Sequence, residues 1–173
     1  MKPLTVVASV GALFMVLKMI ESNNQGWQAP LSASPFIKAI DETERYYALP
    51  PSILARLLYQ ESHFRFDIIT GAVLSPVGAQ GIAQVMPLTA ENPGFNTPRL
   101  SDPFNPSEAI PWAGAYLSGL FKYSKDWRKA LAAYNAGMGT VNKAVDKDPV
   151  LWLSYMPLET QNYVNEITRD VKV

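Results

Sequence analysis

The feature that most constrains this chain is a carboxylate on the apolar face of a predicted helix. Residues 50–64 are typical of one helix that opens at two prolines, where a missing backbone N–H does no harm. At about 100° of rotation per residue, the apolar side chains of this helix share one arc: Ile53, Leu54, Leu57 and Leu58. Glu61 falls near the middle of that arc, where a glutamate is costly unless it is paired or held protonated. A carboxyl held protonated near neutral pH is what a general acid for glycosidic bond cleavage requires. The helix alone also allows a glutamate that turns to solvent or pairs with an arginine.

Three later segments follow Glu61 in a recognisable order. They are residues 75–90, which contain Gly-Ile-Ala-Gln, residues 133–141, which begin Ala-Tyr-Asn-Ala-Gly, and residues 156–164. Together with Glu61-Ser62, these segments resemble the four ordered signatures of the lytic transglycosylase family, which is related to goose-type lysozyme. Each signature alone is weak, but four of them in order over residues 50–165 make a strong match. The resemblance implies a mainly α, lysozyme-like fold.

The resemblance also implies roles for single residues. Glu61 is expected to protonate the glycosidic oxygen and then, as a carboxylate, to take the proton of the C6 hydroxyl that closes a 1,6-anhydro ring. The hydroxyl of Tyr134 is expected to hydrogen-bond this acid, and Ser75 to approach the acetamido group of the sugar. The other residues expected to bind the glycan are Gln84, Met86, Asn135 and Glu159. Gly78 and Gly81 match glycines whose missing side chains let the backbone approach the glycan.

Without the resemblance, several of these residues have plainer interpretations. Ser75 is then an ordinary turn residue, and Met86 fills the core. Tyr134 is a core tyrosine whose hydroxyl is satisfied locally. Glu159 is a glutamate favoured by the dipole at the start of its helix.

A second carboxylate is the main open question about mechanism. Most glycosidases need two, whereas the motifs supply one on a buried face. The resemblance implies a peptidoglycan lytic transglycosylase that cleaves the β-1,4 bond between N-acetylmuramic acid and N-acetylglucosamine, where the substrate's own acetamido and C6 hydroxyl groups suffice. Asp67, within extra residues 67–71 that the family pattern lacks, is the nearest second candidate, or else a loop aspartate that faces water. A goose-type lysozyme-like hydrolase and a catalytically idle glycan-binding module remain alternatives.

The composition excludes several other classes of protein. The chain has no cysteine, which removes disulfides, thiolate metal sites and a cysteine nucleophile. Its single histidine, His63, has no metal-binding spacing around it, so we expect no metal, and no cofactor is implied. Fifteen basic residues balance fifteen acidic ones without a basic stripe, so we expect no nucleic acid partner. The expected partner is the peptidoglycan glycan strand.

The compositional outlier is the apolar stretch from Leu4 to Ile20. Its seventeen residues are at the short limit of a membrane span, and Lys18 can snorkel to the interface. A signal anchor is favoured over a cleaved signal peptide or a buried core helix. We therefore expect an N-terminal hydrophobic helix in the membrane, with the catalytic domain facing the periplasm or cell wall; an exported or virion-associated protein is the alternative. Residues 1–34 would form the anchor and tether, and residues 35–173 the lysozyme-like domain.

Helices dominate the rest of the prediction. Periodicity and helix-end signals predict a helix that opens at Pro35 and further helices over residues 81–90, 111–124, 127–136 and 158–171. Five prolines predict a long surface loop over residues 92–111. A small β-hairpin is expected within residues 65–80, where Gly71 and Gly78 flank a short apolar run.

Overall fold

The computed structural model describes residues 27–173, and helices make up most of its regular structure. In chain order they are α1 (Ile37–Tyr46), α2 (Ile53–Ser62), α3 (Phe66–Ile69), α4 (Pro87–Glu91), α5 (Pro106–Ser124), α6 (Trp127–Ala136), α7 (Met138–Lys147) and α8 (Leu158–Thr168). Two short 3-10 helices lie at Leu31–Ala33 and Trp152–Tyr155. The prediction of a mainly α fold is confirmed.

Helix α2 carries Glu61 and packs against both α1 and α8, while α6 packs against α5, α7 and α8. The apolar arc predicted for α2 is fully buried, with no exposed surface on its members: Ile53, Leu54, Leu57 and Leu58. The 3.6-residue period therefore identified the buried face of this helix correctly. Burial of that face fixes the direction in which Glu61, at the end of α2, can project.

The start of α2 is capped by a side chain from another helix. The buried carboxylate of Glu44 on α1 accepts hydrogen bonds from the backbone N–H groups of Ser52 and Leu54, both at 2.9 Å, and of Ala55 at 3.3 Å. These N–H groups lack partners within the helix itself. Glu44 therefore holds α2 against α1 at the end opposite Glu61.

The β-hairpin predicted within residues 65–80 is wrong. Residues 27–173 contain no strand, and the only ladder contact among them is an isolated bridge between Gln80 and Val85. Residues 66–69 form α3 instead, and Ile69 is buried. A Cβ on Gly71 would lie 2.7 Å from the ring of Phe104, so this turn packs tightly against the loop before α5. Burial of Ile69 and the close contact between Gly71 and Phe104 therefore stabilise this segment as a short helix and a turn. The segment does not pair with itself as a hairpin.

The sequence prediction, which relied on prolines and glycines, gave the wrong ends for several helices. Helix α5 begins at Pro106 rather than at residue 111, because the side chain of Asn105 caps it by accepting the N–H of Ser107 at 3.0 Å. Pro111 lies inside α5. Residues 81–84 form turns, and α4 covers only residues 87–91. Helix α7 was not predicted, whereas the prediction for α6 is confirmed.

The predicted hydrophobic helix from Leu4 to Ile20 lies outside the described residues. No helix within residues 27–173 has the length and apolar character that crossing a membrane requires. The last part of the predicted tether packs on the domain. The ring of Trp27 lies 6.1 Å from that of Tyr59 and 5.2 Å from the guanidinium of Arg56, both on α2, and Ala33 is fully buried.

Candidate active site

A cavity of about 670 Å³ opens beside the end of α2. Its walls come from α2, the loop over residues 75–79, residues 84–86, α4, the middle of α5, the end of α6, and α8. Seven of the residues that the sequence predicted for catalysis or glycan binding line this one cavity: Glu61, Ser75, Gln84, Met86, Tyr134, Asn135 and Glu159. The structure therefore brings these residues together, while their individual roles remain predictions.

Glu61 is half-buried in the cavity wall, and its Oε1 atom accepts a hydrogen bond from the hydroxyl of Tyr163 at 2.6 Å. Burial raises the pKa of Glu61 from its ordinary 4.5 to about 7. The hydrogen bond from Tyr163 opposes this rise because it stabilises the charged form, and the negative charge of Glu159 adds to it. A carboxyl with such a pKa can both give and take a proton near neutral pH.

The hydrogen-bond partner of Glu61 differs from the one that the resemblance implied. The hydroxyl of Tyr134 donates to the backbone oxygen of Ala83 at 3.0 Å, so its expected bond to Glu61 is absent. Tyr163 on α8 makes that bond instead. The sequence analysis gave Tyr163 no role in the site. Its position within the fourth signature, one helical turn after Glu159, was the available signal.

Several cavity residues are held by bonds within the protein. The side-chain amide of Gln84 donates to the backbone oxygen of Gly81 at 2.8 Å, and Asn135 Oδ1 accepts the hydroxyl of buried Thr160 at 2.7 Å. These bonds fix the orientation of both amides before any ligand arrives. Met86 is 43% exposed, so its interpretation as core filler is wrong.

The two glycines expected near the glycan differ in their surroundings. A Cβ on Gly81 would lie 1.8 Å from the backbone oxygen of Pro103, and the φ of Gly81 is +70°. Glycine is therefore required there by contact with the loop before α5. A Cβ on Gly78 would meet nothing within 4 Å. Glycine is favoured at this position because the backbone φ is +84°, a conformation that other residues rarely adopt.

Asp67 and His63 lie away from this cavity. Both line a separate shallow depression formed by residues 31–35 and 63–67. Arg65 forms a salt bridge with Asp67 and lowers the pKa of that carboxyl. Two other carboxylates line the cavity of Glu61: Glu159, as predicted, and Glu166, which the sequence reading missed. Within residues 27–173, no cluster of acidic or histidine side chains has an arrangement suited to a metal ion.

The helical fold and a half-buried glutamate in an open cavity define the lysozyme-like class of catalytic domains. Within that class, the chain belongs to the Transglycosylase SLT domain family, whose model matches residues 38–150. The soluble lytic murein transglycosylase of Escherichia coli strain K12 is 29% identical over 84% of this chain and 26% of its own length. Membrane-bound lytic murein transglycosylase D of the same strain is 32% identical over 66% of this chain and 26% of its own length.

Solved structures show the same relationship. An inactive glutamate-to-glutamine variant of the lytic transglycosylase Slt from Pseudomonas aeruginosa matches with a TM-score of 0.64 and 27% identity, over 91% of this chain and 26% of that protein. The 70 kDa soluble lytic transglycosylase from Escherichia coli matches with a TM-score of 0.57 and 29% identity, over 73% of this chain and 22% of that protein. This chain therefore spans about a quarter of the length of these relatives.

Proposed function

We propose that this chain is a peptidoglycan lytic transglycosylase that cleaves the β-1,4 bond between N-acetylmuramic acid and N-acetylglucosamine and leaves a 1,6-anhydromuramoyl end. The observation that carries the proposal is Glu61, a carboxyl with a pKa of about 7 in the wall of an open cavity. The relatives' names, lytic murein transglycosylases, support the substrate class.

In the proposed reaction, Glu61 acts first as an acid and then as a base. It gives its proton to the glycosidic oxygen as the bond from that oxygen to the anomeric carbon breaks, and the N-acetylglucosamine side leaves with a new hydroxyl. The N-acetyl carbonyl of the muramoyl sugar stabilises the electron-poor anomeric carbon. The Glu61 carboxylate then takes the proton of the C6 hydroxyl while that oxygen attacks the anomeric carbon. Glu61 ends protonated, and no water is consumed.

Tyr163 has a positioning role in this scheme. It holds Oε1 of Glu61 at 2.6 Å, which leaves Oε2 free for the glycosidic oxygen. The same bond limits the rise in the Glu61 pKa, because it stabilises the carboxylate that the first proton transfer leaves. Tyr163 therefore balances the two roles of the acid.

The remaining predicted residues would bind the glycan. Ser75 would approach the acetamido group, and the fixed amides of Gln84 and Asn135 would bind polar groups of the sugars. Met86 would contact a sugar face. Glu159 would bind the sugar or its peptide at the rim.

A hydrolase is the second candidate because of carboxylates on α8. Glu159 lines the same cavity and is close enough for its charge to raise the pKa of Glu61. Such a group could direct a water molecule, as the second carboxylate of most glycosidases does. Asp67 is not suited to that role, because it lines a different depression and pairs with Arg65.

Digestion of purified murein by the full chain tests the proposal. We expect Glu61→Gln to lose on the order of 10²–10⁴-fold in turnover, since it keeps the shape of the side chain and removes the titratable group. Glu42→Gln, at an exposed position on α1, is the matched control and should match the wild type. The products should lack a reducing end and weigh one water less than hydrolytic ones. If the products are reducing-end muropeptides and Glu159→Gln loses activity, the hydrolase is favoured. If Glu61→Gln leaves turnover unaffected, both the transglycosylase and the hydrolase proposals are overturned.

We also propose that residues 1–34 form a membrane anchor and tether, and residues 35–173 a catalytic domain that faces the periplasm or cell wall. The relatives include one protein named as soluble and one named as membrane-bound, so both arrangements occur among them. The full chain should fractionate with membranes, and residues 27–173, which include the packed Trp27, should not. A mature protein that begins near Ser34 would instead indicate a cleaved signal peptide.

A further inference from the structure

Three tyrosines line the cavity of Glu61, and the protein uses the hydroxyl groups of two of them. Tyr163 donates to Glu61, and Tyr134 donates to the backbone oxygen of Ala83. The hydroxyl of Tyr116 makes no hydrogen bond to any other residue within 27–173. This hydroxyl lines the open cavity and has no protein partner, so it is available to a ligand that enters there.

The ring of Tyr116 is held on several sides by other aromatic rings. It stacks on Trp112 at 5.0 Å between centroids and meets Tyr134 edge-on at 5.5 Å. Phe95 contacts it edge-on at 6.1 Å. A ring packed in this way presents its hydroxyl in a fixed direction, which lowers the entropy cost of binding a ligand.

The hydroxyl of Tyr116 also remains a hydrogen-bond donor over a wide pH range. Burial raises its pKa above the ordinary 10, so the hydroxyl keeps its proton across the range in which Glu61 titrates. It can therefore donate to a neutral acceptor oxygen at every working pH.

Two other residues of the cavity wall, Trp112 and Thr89, bear on what Tyr116 can bind. The indole N–H of Trp112 is already bonded to the backbone oxygen of Pro98 at 2.8 Å, and Trp112 is only 4% exposed, so it offers a ligand no second donor. Thr89 on α4 lines the same cavity, and its hydroxyl makes no hydrogen bond within the described residues. One fixed donor that keeps its proton suits the carbonyl oxygen of an acetamido group, which is a stronger hydrogen-bond acceptor than a sugar hydroxyl.

We propose that Tyr116 binds the acetamido group of an N-acetylglucosamine next to the scissile bond by donating a hydrogen bond to its carbonyl oxygen. This inference rests on the proposed function, because it assigns an N-acetylated glycan to the same cavity. Tyr116 is then a determinant of specificity for N-acetylated over deacetylated glycan. Tyr116 lies on α5, whereas Ser75 lines the cavity from the loop over residues 75–79.

Equilibrium binding to the full chain carrying Glu61→Gln tests this role without turnover. The probes are β-1,4-linked N-acetylglucosamine oligomers and the same oligomers after deacetylation. We expect Tyr116→Phe, which removes only the hydroxyl, to raise the Kd for the acetylated oligomer by about 3–10-fold, the effect of one hydrogen bond. The Kd for the deacetylated oligomer should change by less than about twofold, because the acceptor is missing.

Tyr123→Phe is the matched control, since Tyr123 lies on the same helix, is 60% exposed and lies outside the cavity. It should leave both Kd values unchanged. Equal Kd values for the parent and Tyr116→Phe, or equal losses for both oligomers, would overturn the inference. Product analysis of the wild type tests the proposed function separately. If Tyr116→Phe weakens binding of the acetylated oligomer alone but the wild type gives hydrolytic products, this inference stands and the transglycosylase mechanism is refuted. A Glu61→Gln parent that binds neither oligomer would refute the inference.

Discussion

Replacement of Glu61 by glutamine should change how the stability of the fold depends on pH. In the folded chain, burial raises the pKa of Glu61 from 4.5 to about 7, whereas in the unfolded chain the group titrates near the ordinary value. The folded state therefore holds this proton more tightly than the unfolded state. The stability that the proton contributes is fully present below about pH 4.5 and is lost as the pH rises through about 7. Glutamine cannot titrate, so Glu61→Gln removes this slope.

The size of the effect follows from the two pKa values. A shift of one pKa unit corresponds to about 1.4 kcal/mol. With values of 4.5 and about 7, Glu61 should make the wild type lose about 2.5 kcal/mol of unfolding free energy between about pH 5 and about pH 8, relative to Glu61→Gln. The other titrating groups are common to both proteins and cancel in the difference.

Urea unfolding of residues 27–173 at several pH values measures this difference. The free energies of Glu61→Gln and of the wild type should diverge as the pH rises from about 5, and the difference should level off above about pH 7. Glu42→Gln, on the exposed side of α1, controls for the loss of one surface charge and should follow the wild type. Curves for Glu61→Gln and the wild type that stay parallel from pH 5 to pH 8 would refute a raised pKa of Glu61, and with it the physical basis of the proposed acid.

Three further substitutions should act through contacts described above. Tyr163→Phe removes the hydrogen bond that lowers the pKa of Glu61. The alkaline limb of the plot of kcat/KM against pH should therefore move to higher pH, and kcat should fall. An unmoved limb would contradict this prediction. Glu159→Gln removes a like charge, so in a pH–rate titration the same limb should move the opposite way, to lower pH. Gly81→Ala should reduce the free energy of unfolding, measured in urea, by about 2–4 kcal/mol. The reason is that the alanine Cβ would meet the backbone oxygen of Pro103 at a position with a positive φ. A change below about 0.5 kcal/mol would exclude that contact.

The sequence predicted the parts of the fold that depend on local periodicity. The apolar arc of α2 and the bounds of α6 follow from side-chain spacing along single helices, and both are confirmed. The failures lie where contacts between distant segments decide. Gly71 packs against Phe104, more than thirty residues further on, and that contact replaces the predicted hairpin. The cap that Asn105 provides could have been read from its position before Pro106, but the run of prolines suggested a loop.

The candidate site was predictable as a set of residues but not as a set of bonds. Order and spacing of the signatures identified residues that the fold collects in one cavity, from Glu61 on α2 to Glu159 on α8. Which tyrosine reaches Glu61 depends on the packing of α8 against α2, so Tyr163 took the place that the resemblance gave to Tyr134. Tyr116 carried no motif signal in the sequence, and its unused hydroxyl became visible only within the cavity.

The central claim is that Glu61 closes an anhydro ring with the substrate's own hydroxyl and does not activate water. Digestion of murein by the full chain in water enriched in heavy oxygen tests this directly by mass spectrometry of the released muropeptides. If the sugar's C6 hydroxyl is the nucleophile, the muramoyl ends should be 1,6-anhydro and should carry no heavy oxygen. A reducing muramoyl end that carries one heavy oxygen from the solvent would contradict the account.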